Sequence, residues 1–216
     1  LFSDDSIRMA EALRQLGAGV EEERVAARIR VRGTAGRWRA PEATLYAGNA
    51  GTAARFLVAA VALGHGRYVV DGNERMRQRP IGDLVDALRA LGVKVDCPTG
   101  CPPVTVHAAG LPGGTVEVAG ARSSQFLSGL LLAAPYARDD LEIRVGDDLI
   151  AKPYVDMTLA LMAQFGVEVE RDGYRRFRVA RGQRYRGRVY AVEADASSAH
   201  YFLAAAALTG GAVRVP

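Results

Sequence analysis

Cysteine and histidine are scarce in this chain, with two and three respectively among 216 residues. Cys97 and Cys101 stand in CPTGC, with no paired CxxC and no neighbouring histidine, which argues against a zinc site and against thiol chemistry. His65, His107 and His200 lie in segments that share no motif, so none is assigned to a metal or to catalysis. No run of about 18 uncharged apolar residues occurs, which excludes an obvious membrane-spanning helix. The opening LFSDDSIRMAEAL has neither the basic region nor the apolar region of a signal peptide, and a cytoplasmic location is expected. The chain opens on Leu rather than Met and stops on GGAVRVP, which reads as a strand. A piece of a longer protein is expected for that reason.

What is present is an ordinary soluble composition, 49% hydrophobic and 24% charged, enough for one large domain or two small ones. The net charge is +4, and much of the excess lies in RDGYRRFRVARGQRYRGRVY at 171–190. Arginine interleaved with aromatics can mark a nucleic-acid surface. The alternation of Tyr174, Phe177 and Val179 with arginines reads better as a β-hairpin with arginine on its wet face.

The chain repeats itself. SIRMAEALRQLGAGVEEE, RPIGDLVDALRALGVKVDC and KPYVDMTLALMAQFGVEVE each predict an amphipathic helix, a glycine at its end and a short strand. The glycines, Gly17, Gly92 and Gly166, recur at intervals of 75 (17 to 92) and 74 (92 to 166) residues, and each suits the position just past a helix. Pro80 and Pro153 suit the first helical position, with Asp83 and Asp156 favourable near the positive helix end. A second helix recurs in NAGTAARFLVAAVALGHGRYVV, SSQFLSGLLLAAPYARDDLEIRV and ASSAHYFLAAAALTGGAVRV. These are apolar nearly all round and must be covered on every side. The expected fold is a single α/β domain over 1–216, three pseudo-repeats at about 1–75, 76–149 and 150–216, with sheets outside and three buried helices inside.

The three buried helices all open on small polar groups: Asn49, Gly51 and Thr52; Ser123, Ser124 and Gln125; Asp195, Ser197 and Ser198. Such residues are good helix caps, Asn49 among them. Packed about a common axis, the three positive helix ends converge and make an anion pocket, and Gly51 leaves the amides of its turn open to approach.

GNAGTAARFL, RMRQRPIGDLVDALRALG, SSQFLSGLLLAAP, KPYVDMTLALMAQFGVEVE and EADASSAHYFLAAAA resemble, in order and spacing, the motifs of the 5-enolpyruvylshikimate-3-phosphate synthase family. The resemblance covers nearly the whole chain. It implies the N-terminal domain of a two-domain enzyme with an inverse α/β barrel fold, the second catalytic domain lying outside these residues. It implies transfer of enolpyruvyl from phosphoenolpyruvate to the 5-hydroxyl of shikimate 3-phosphate in aromatic amino-acid biosynthesis, with no metal and no organic cofactor. In the family pattern the positions of Asn49, Gly51, Arg79 and Gln125 surround phosphoenolpyruvate, the pocket that the inhibitor glyphosate also takes. Those of Ser123, Ser124, Gln125, Ala151 and Tyr154 belong to shikimate 3-phosphate. The implied partners are those two anions and the missing C-terminal domain, with neither nucleic acid nor membrane. No proton-transfer residue of the family falls in this chain, so the fragment alone is expected to bind without turnover. Arg55, one turn into its helix, is read as structural support.

One departure stands out: the family's Ser-Lys-Pro-Tyr is AKPY here, with Ala151 in place of a phosphate-binding serine. Rival readings are a UDP-sugar enolpyruvyl transferase domain and a non-catalytic module binding anions or nucleic acid. The first commonly carries a reactive cysteine where this chain has RMRQRP.

Overall fold

The structure is a computed structural model describing residues 2–146, 149–193 and 195–215, with the side chain of Ser197 outside the described set. It runs through helix α1 (Asp4–Gln15), strands β1 (Gly19–Glu23), β2 (Arg28–Arg32) and β3 (Glu42–Tyr46), α2 (Gly51–Val61), β4 (His65–Asp71), α3 (Gly82–Ala90), β5 (Lys94–Asp96) and β6 (Val104–Ala109). It continues with β7 (Gly114–Val118), α4 (Ser124–Ala133), β8 (Leu141–Val145), α5 (Lys152–Gln164), β9 (Glu170–Asp172), β10 (Arg176–Val179) and α6 (Ala196–Thr209). The chain divides into two compact units, Leu1–Arg186 and Gly187–Pro216, with α6 in the second. Among the described residues, no helix is long and apolar enough to cross a membrane.

The glycine period has a direct structural counterpart. Gly17, Gly92 and Gly166 all take positive φ, at 96°, 87° and 84°. After α1 the Ala18 amide reaches the Leu13 carbonyl and the Gly17 amide that of Arg14; Val93 to Leu88 and Gly92 to Arg89 repeat this after α3, and Val167 to Met162 and Gly166 to Ala163 after α5. This is one Schellman ending written three times, satisfying helix-end carbonyls where a side chain would be strained. The helix starts are less regular. Pro80 lies outside α3, whose capping position is Ile81, and Pro153 is the second residue of α5. Asp83 sits in the first turn of α3 as expected, but Asp156 lies past the first turn of α5 and pairs with Arg171 and Tyr174 instead.

Hydrogen bonding cuts the repeat at a different place from the sequence reading. One sheet has the order β3-β4-β6-β5 and another β7-β8-β10-β9. In each, the first two strands are parallel and flank a buried helix, and the other two form an antiparallel hairpin after an outer helix. The complete structural copies are therefore β3-α2-β4-α3-β5-β6 and β7-α4-β8-α5-β9-β10. The segment α1-β1-β2 matches the second half of a copy, and among the described residues its two strands pair only with each other. Beside it an apolar cavity of about 360 Å³ is lined by Met9, Leu13, Trp38, Phe56, Leu132 and Tyr136.

Two of the three inner helices are where the sequence put them. Leu57, Val58, Ala59 and Val61 of α2 are buried, as are Phe126, Leu127, Leu130 and Leu131 of α4. Gly129 lets them approach, since a Cβ there would meet the Cβ of Ala59 and the carbonyl of Arg55 at 3.4 Å. The third expectation is corrected: α6 is exposed, with Tyr201 at 80%, Phe202 at 62% and Leu208 at 86%. A helix apolar all round calls for cover, and these side chains have none. The strongly basic stretch does form a hairpin, shorter than 171–190, with β9 and β10 paired, Phe177 and Val179 buried and Arg176 outside. Tyr174 departs from the expected alternation, sitting in the turn.

Candidate anion-binding site

The first turns of α2 and α4 are tied to each other by side chains. Gln125 donates through Nε2 to Thr52 Oγ1 at 2.9 Å and accepts at Oε1 from Arg55 Nη1 at 2.7 Å. Ser123 caps α4 as expected, its hydroxyl accepting the Gln125 amide at 3.2 Å. Asn49 does not cap α2: the capping position is Ala50, and no side chain closes that helix start. The first amides of α2 have no intrahelical partner by the geometry of a helix, and among the described residues no side chain caps them. They present the positive end of the helix dipole outward.

Over this opening lies the loop between β4 and α3. Its base is fixed by Asp71, which accepts from Arg77 Nε at 3.0 Å and Nη2 at 2.6 Å and from the Gly72 amide at 2.8 Å. Hydrogen bonding to Arg77 holds the Asp71 carboxyl below its ordinary range, with partial burial pulling the other way. Buried Met76 anchors the middle of the loop. These fixings deliver Arg79 onto Gly51: a Cβ added to Gly51 would lie 2.5 Å from the guanidinium, which donates to the Asn49 carbonyl at 3.1 Å. An open cavity of about 450 Å³ is lined by Asn49, Arg75, Gln78, Arg79 and Pro80.

Arg55 stands beside this cavity in more than a supporting place. Burial, and secondarily the charge of Arg79, weakens its hold on its proton. Its Nε is buried with no hydrogen-bond partner among the described residues, and neither Arg55 nor Arg79 forms an ion pair with a carboxylate among them. Two neighbouring guanidinium groups without a counter-charge among the described residues, set against an uncapped helix start, leave a positive region that an anion would complete.

The side facing α5 is also joined to α4. The Ile150 amide donates to the Gly120 carbonyl at 3.2 Å, and the buried hydroxyls of Ser128 and Thr158 meet at 2.9 Å. Tyr154 is 59% exposed in the first turn of α5, and Ala151 caps that helix in the left-handed region at φ 54°, exposed and with no side-chain cap bond. Ser124, the first residue of α4, is buried.

Of the expected site residues, Asn49, Gly51 and Arg79 therefore meet directly. Gln125 joins their group through Thr52 and Arg55, and Ser123 is its cap. Ala151 and Tyr154 lie on the adjoining helix start. The expected meeting of three inner helix ends is seen for α2 and α4; in the second unit Asp195 accepts from the amide and hydroxyl of Ser198 at the start of α6, and Ser197 lies outside the described side chains. Sequence reasoning passed over Arg75 and Gln78. Their signal was the arginine density of RMRQRP, directly before a helix start.

The arginines of the basic hairpin are occupied differently. Arg171 pairs with Asp156, Arg176 with Glu142, Arg178 with Asp140 and Glu170, and Arg181 with Asp139.

A sequence model of the family described as EPSP synthase (3-phosphoshikimate 1-carboxyvinyltransferase) matches residues 1–216. The 3-phosphoshikimate 1-carboxyvinyltransferase of Shewanella pealeana is 51% identical over 220 residues, covering 100% of this chain and 51% of the relative. The chloroplastic protein of that name from Solanum lycopersicum is 53% identical over 228 residues, covering 100% and 44%. An EPSP synthase structure from Acinetobacter baumannii superposes with a TM-score of 0.81 at 26% identity, over 96% of this chain and 46% of that one. The chain spans about half the length of the relatives it matches. With its fold and its paired helix starts in hand, the chain belongs to the EPSP synthase (3-phosphoshikimate 1-carboxyvinyltransferase) family.

Proposed function

We propose that this chain is the N-terminal, substrate-binding half of a 3-phosphoshikimate 1-carboxyvinyltransferase. The parent enzyme moves the enolpyruvyl group of phosphoenolpyruvate to the 5-hydroxyl of shikimate 3-phosphate and releases phosphate. The observation that carries this reading is the pair Arg55 and Arg79, close together without a carboxylate partner among the described residues, beside the uncapped start of α2. Arg79 offers a planar fork to a phosphate and the Gly51 turn offers amides, a donor set suited to phosphoenolpyruvate. Asn49 and Gln125 complete that pocket, with Arg55 holding Gln125 in place. Shikimate 3-phosphate takes the adjoining ground, Ser123, Ser124, Gln125 and Tyr154, with Ala151 at the edge.

In this assignment the chain orients both anions and lowers the charge repulsion between them. Proton transfer needs groups within hydrogen-bond reach of the reacting atoms, and these are assigned to the C-terminal domain. Titration of the chain with shikimate 3-phosphate, followed by amide chemical shifts, tests the reading. Shifts concentrated at Ser123–Gln125 and Tyr154 are expected, and their absence at millimolar ligand overturns it. Pairing of the hairpin arginines with carboxylates favours small anions over RNA as ligand, and binding to RNA with a steep salt dependence would reverse that preference.

A further inference from the structure

The cysteines of CPTGC take no part in the proposed site, yet the fold sets the Cys97 sulfur against the backbone of residue 101. Between them the chain makes a turn, with the Gly100 amide donating to the Cys97 carbonyl at 3.3 Å and Gly100 at φ 70°. The Cys97 Sγ lies against residue 101, donating to its carbonyl at 3.3 Å, and the Thr99 hydroxyl receives the Cys101 amide at 3.3 Å. Cys97 is buried and Cys101 half-exposed, and both are free thiols. The same turn supports α3: the Ile81 amide, at the capping position of that helix, donates to the Gly100 carbonyl at 2.9 Å.

We infer that Cys97 and Cys101 form a redox pair that a small-molecule disulfide closes into an intramolecular disulfide, with Cys101 attacking and Cys97 resolving. The exposed partner reacts first because attack on a disulfide needs access and a thiolate. Cys101 loses its proton to solvent and its thiolate attacks one sulfur of glutathione disulfide. That S–S bond breaks and the first glutathione leaves as a thiolate, which solvent protonates. Cys97 then loses its proton, its thiolate attacks the Cys101 sulfur, and the second glutathione leaves in the same way. Two protein thiols are oxidised, and one glutathione disulfide is reduced to two glutathione thiols. Burial pushes the Cys97 thiol up, which leaves the half-exposed Cys101 to react first.

Closure draws the Cys97 sulfur off the Cys101 carbonyl and reshapes the turn that holds Ile81. The start of α3 directly follows Arg79 and Pro80, so the redox state of the pair reaches the wall of the anion cavity through three residues. This inference stands apart from the proposed substrates.

The experiment is incubation of the native chain with glutathione disulfide, read by intact mass and thiol titration. The wild type is expected to lose both thiols and two hydrogens, with no glutathione retained. Cys97→Ser is expected to trap one glutathionyl group on residue 101, and Cys101→Ser to react more slowly by at least about tenfold, since its remaining thiol is buried. In the oxidised wild type, amide exchange at Ile81 should quicken about five- to tenfold, the loss expected for one hydrogen bond. Two free thiols in the wild type, or a stable glutathione adduct there, overturns the pair. Equal rates for the two serine variants overturn the order of attack, and unchanged exchange at Ile81 overturns the link to α3.

Discussion

Gly51 and Arg79 share one small volume, and their substitution is the sharpest test of the site. The guanidinium already fills the space where a Cβ of residue 51 would stand. Gly51→Ala therefore displaces Arg79 from the Asn49 carbonyl and from the anion it would meet. In the full-length enzyme, phosphoenolpyruvate affinity should fall by roughly ten- to a hundredfold, the loss of one charge-assisted hydrogen bond. Shikimate 3-phosphate, assigned to the α4 and α5 starts, should lose far less; calorimetric titration of both ligands decides, and equal losses would signal a folding defect instead. Ala151 tests the other ligand. A serine there supplies a hydroxyl that the family pattern uses for the sugar-side phosphate. Hydrogen bonds to charged groups contribute about 1.5 to 3 kcal/mol, less where water already bridges, so Ala151→Ser should tighten shikimate 3-phosphate by roughly 0.5 to 1.5 kcal/mol. Ordinary helix capping gives no competing explanation, because caps use extended backbone and residue 151 is left-handed. An unchanged dissociation constant removes position 151 from the phosphate site.

At the scale of elements, the contact between α2 and α4 holds the two helix starts in register. Gly129 sets its closeness, with neighbours that cannot all retreat because one is backbone. Gly129→Val should cost about 1 to 3 kcal/mol by overpacking, measured by urea denaturation, and should weaken both ligands together by separating Thr52 from Gln125. The loop after β4 is fastened by charge. Because Arg77 depresses the Asp71 carboxyl in the folded chain, this pair stabilises above the ordinary aspartate value of about 3.9. That contribution disappears as pH falls through the lowered folded value. Asp71→Asn should lie below the wild type in melting temperature at pH 7, and the gap should shrink as the pH falls below about 4. A gap that stays constant as the solution is acidified would show that the ion pair is not its source. The element pattern was legible where local chemistry repeats. Glycine at the helix end is required by a positive φ, so Gly17, Gly92 and Gly166 announced three outer helices. The start of α2 was misread because Asn49 is a good cap in isolation, whereas here its carbonyl serves Arg79 and the helix begins one residue later.

For the whole molecule, the chain spans about half of its relatives, and the proposed division of labour follows from that fact. The purified 216-residue chain should bind shikimate 3-phosphate weakly and show no turnover of the two substrates; steady phosphate release by the pure chain would refute the assignment of proton transfer to the other half. The sequence by itself determined the family, the α/β class, the outer and inner helices of two copies and several of the residues that meet at the proposed site. These are periodic or local signals: amphipathic spacing, apolar runs, capping chemistry and the arginine before α3. Tertiary structure alone decided where one copy ends and the next begins, because a period of about 75 residues fits any starting point and only strand pairing selects one. It alone decided that Tyr201, Phe202 and Leu208 of α6 are exposed, since an apolar helix specifies a need for cover and not what supplies it. And it alone placed Arg55 against Gln125 and Arg79 against Gly51, contacts 70 and 28 residues apart in the chain that no local pattern encodes.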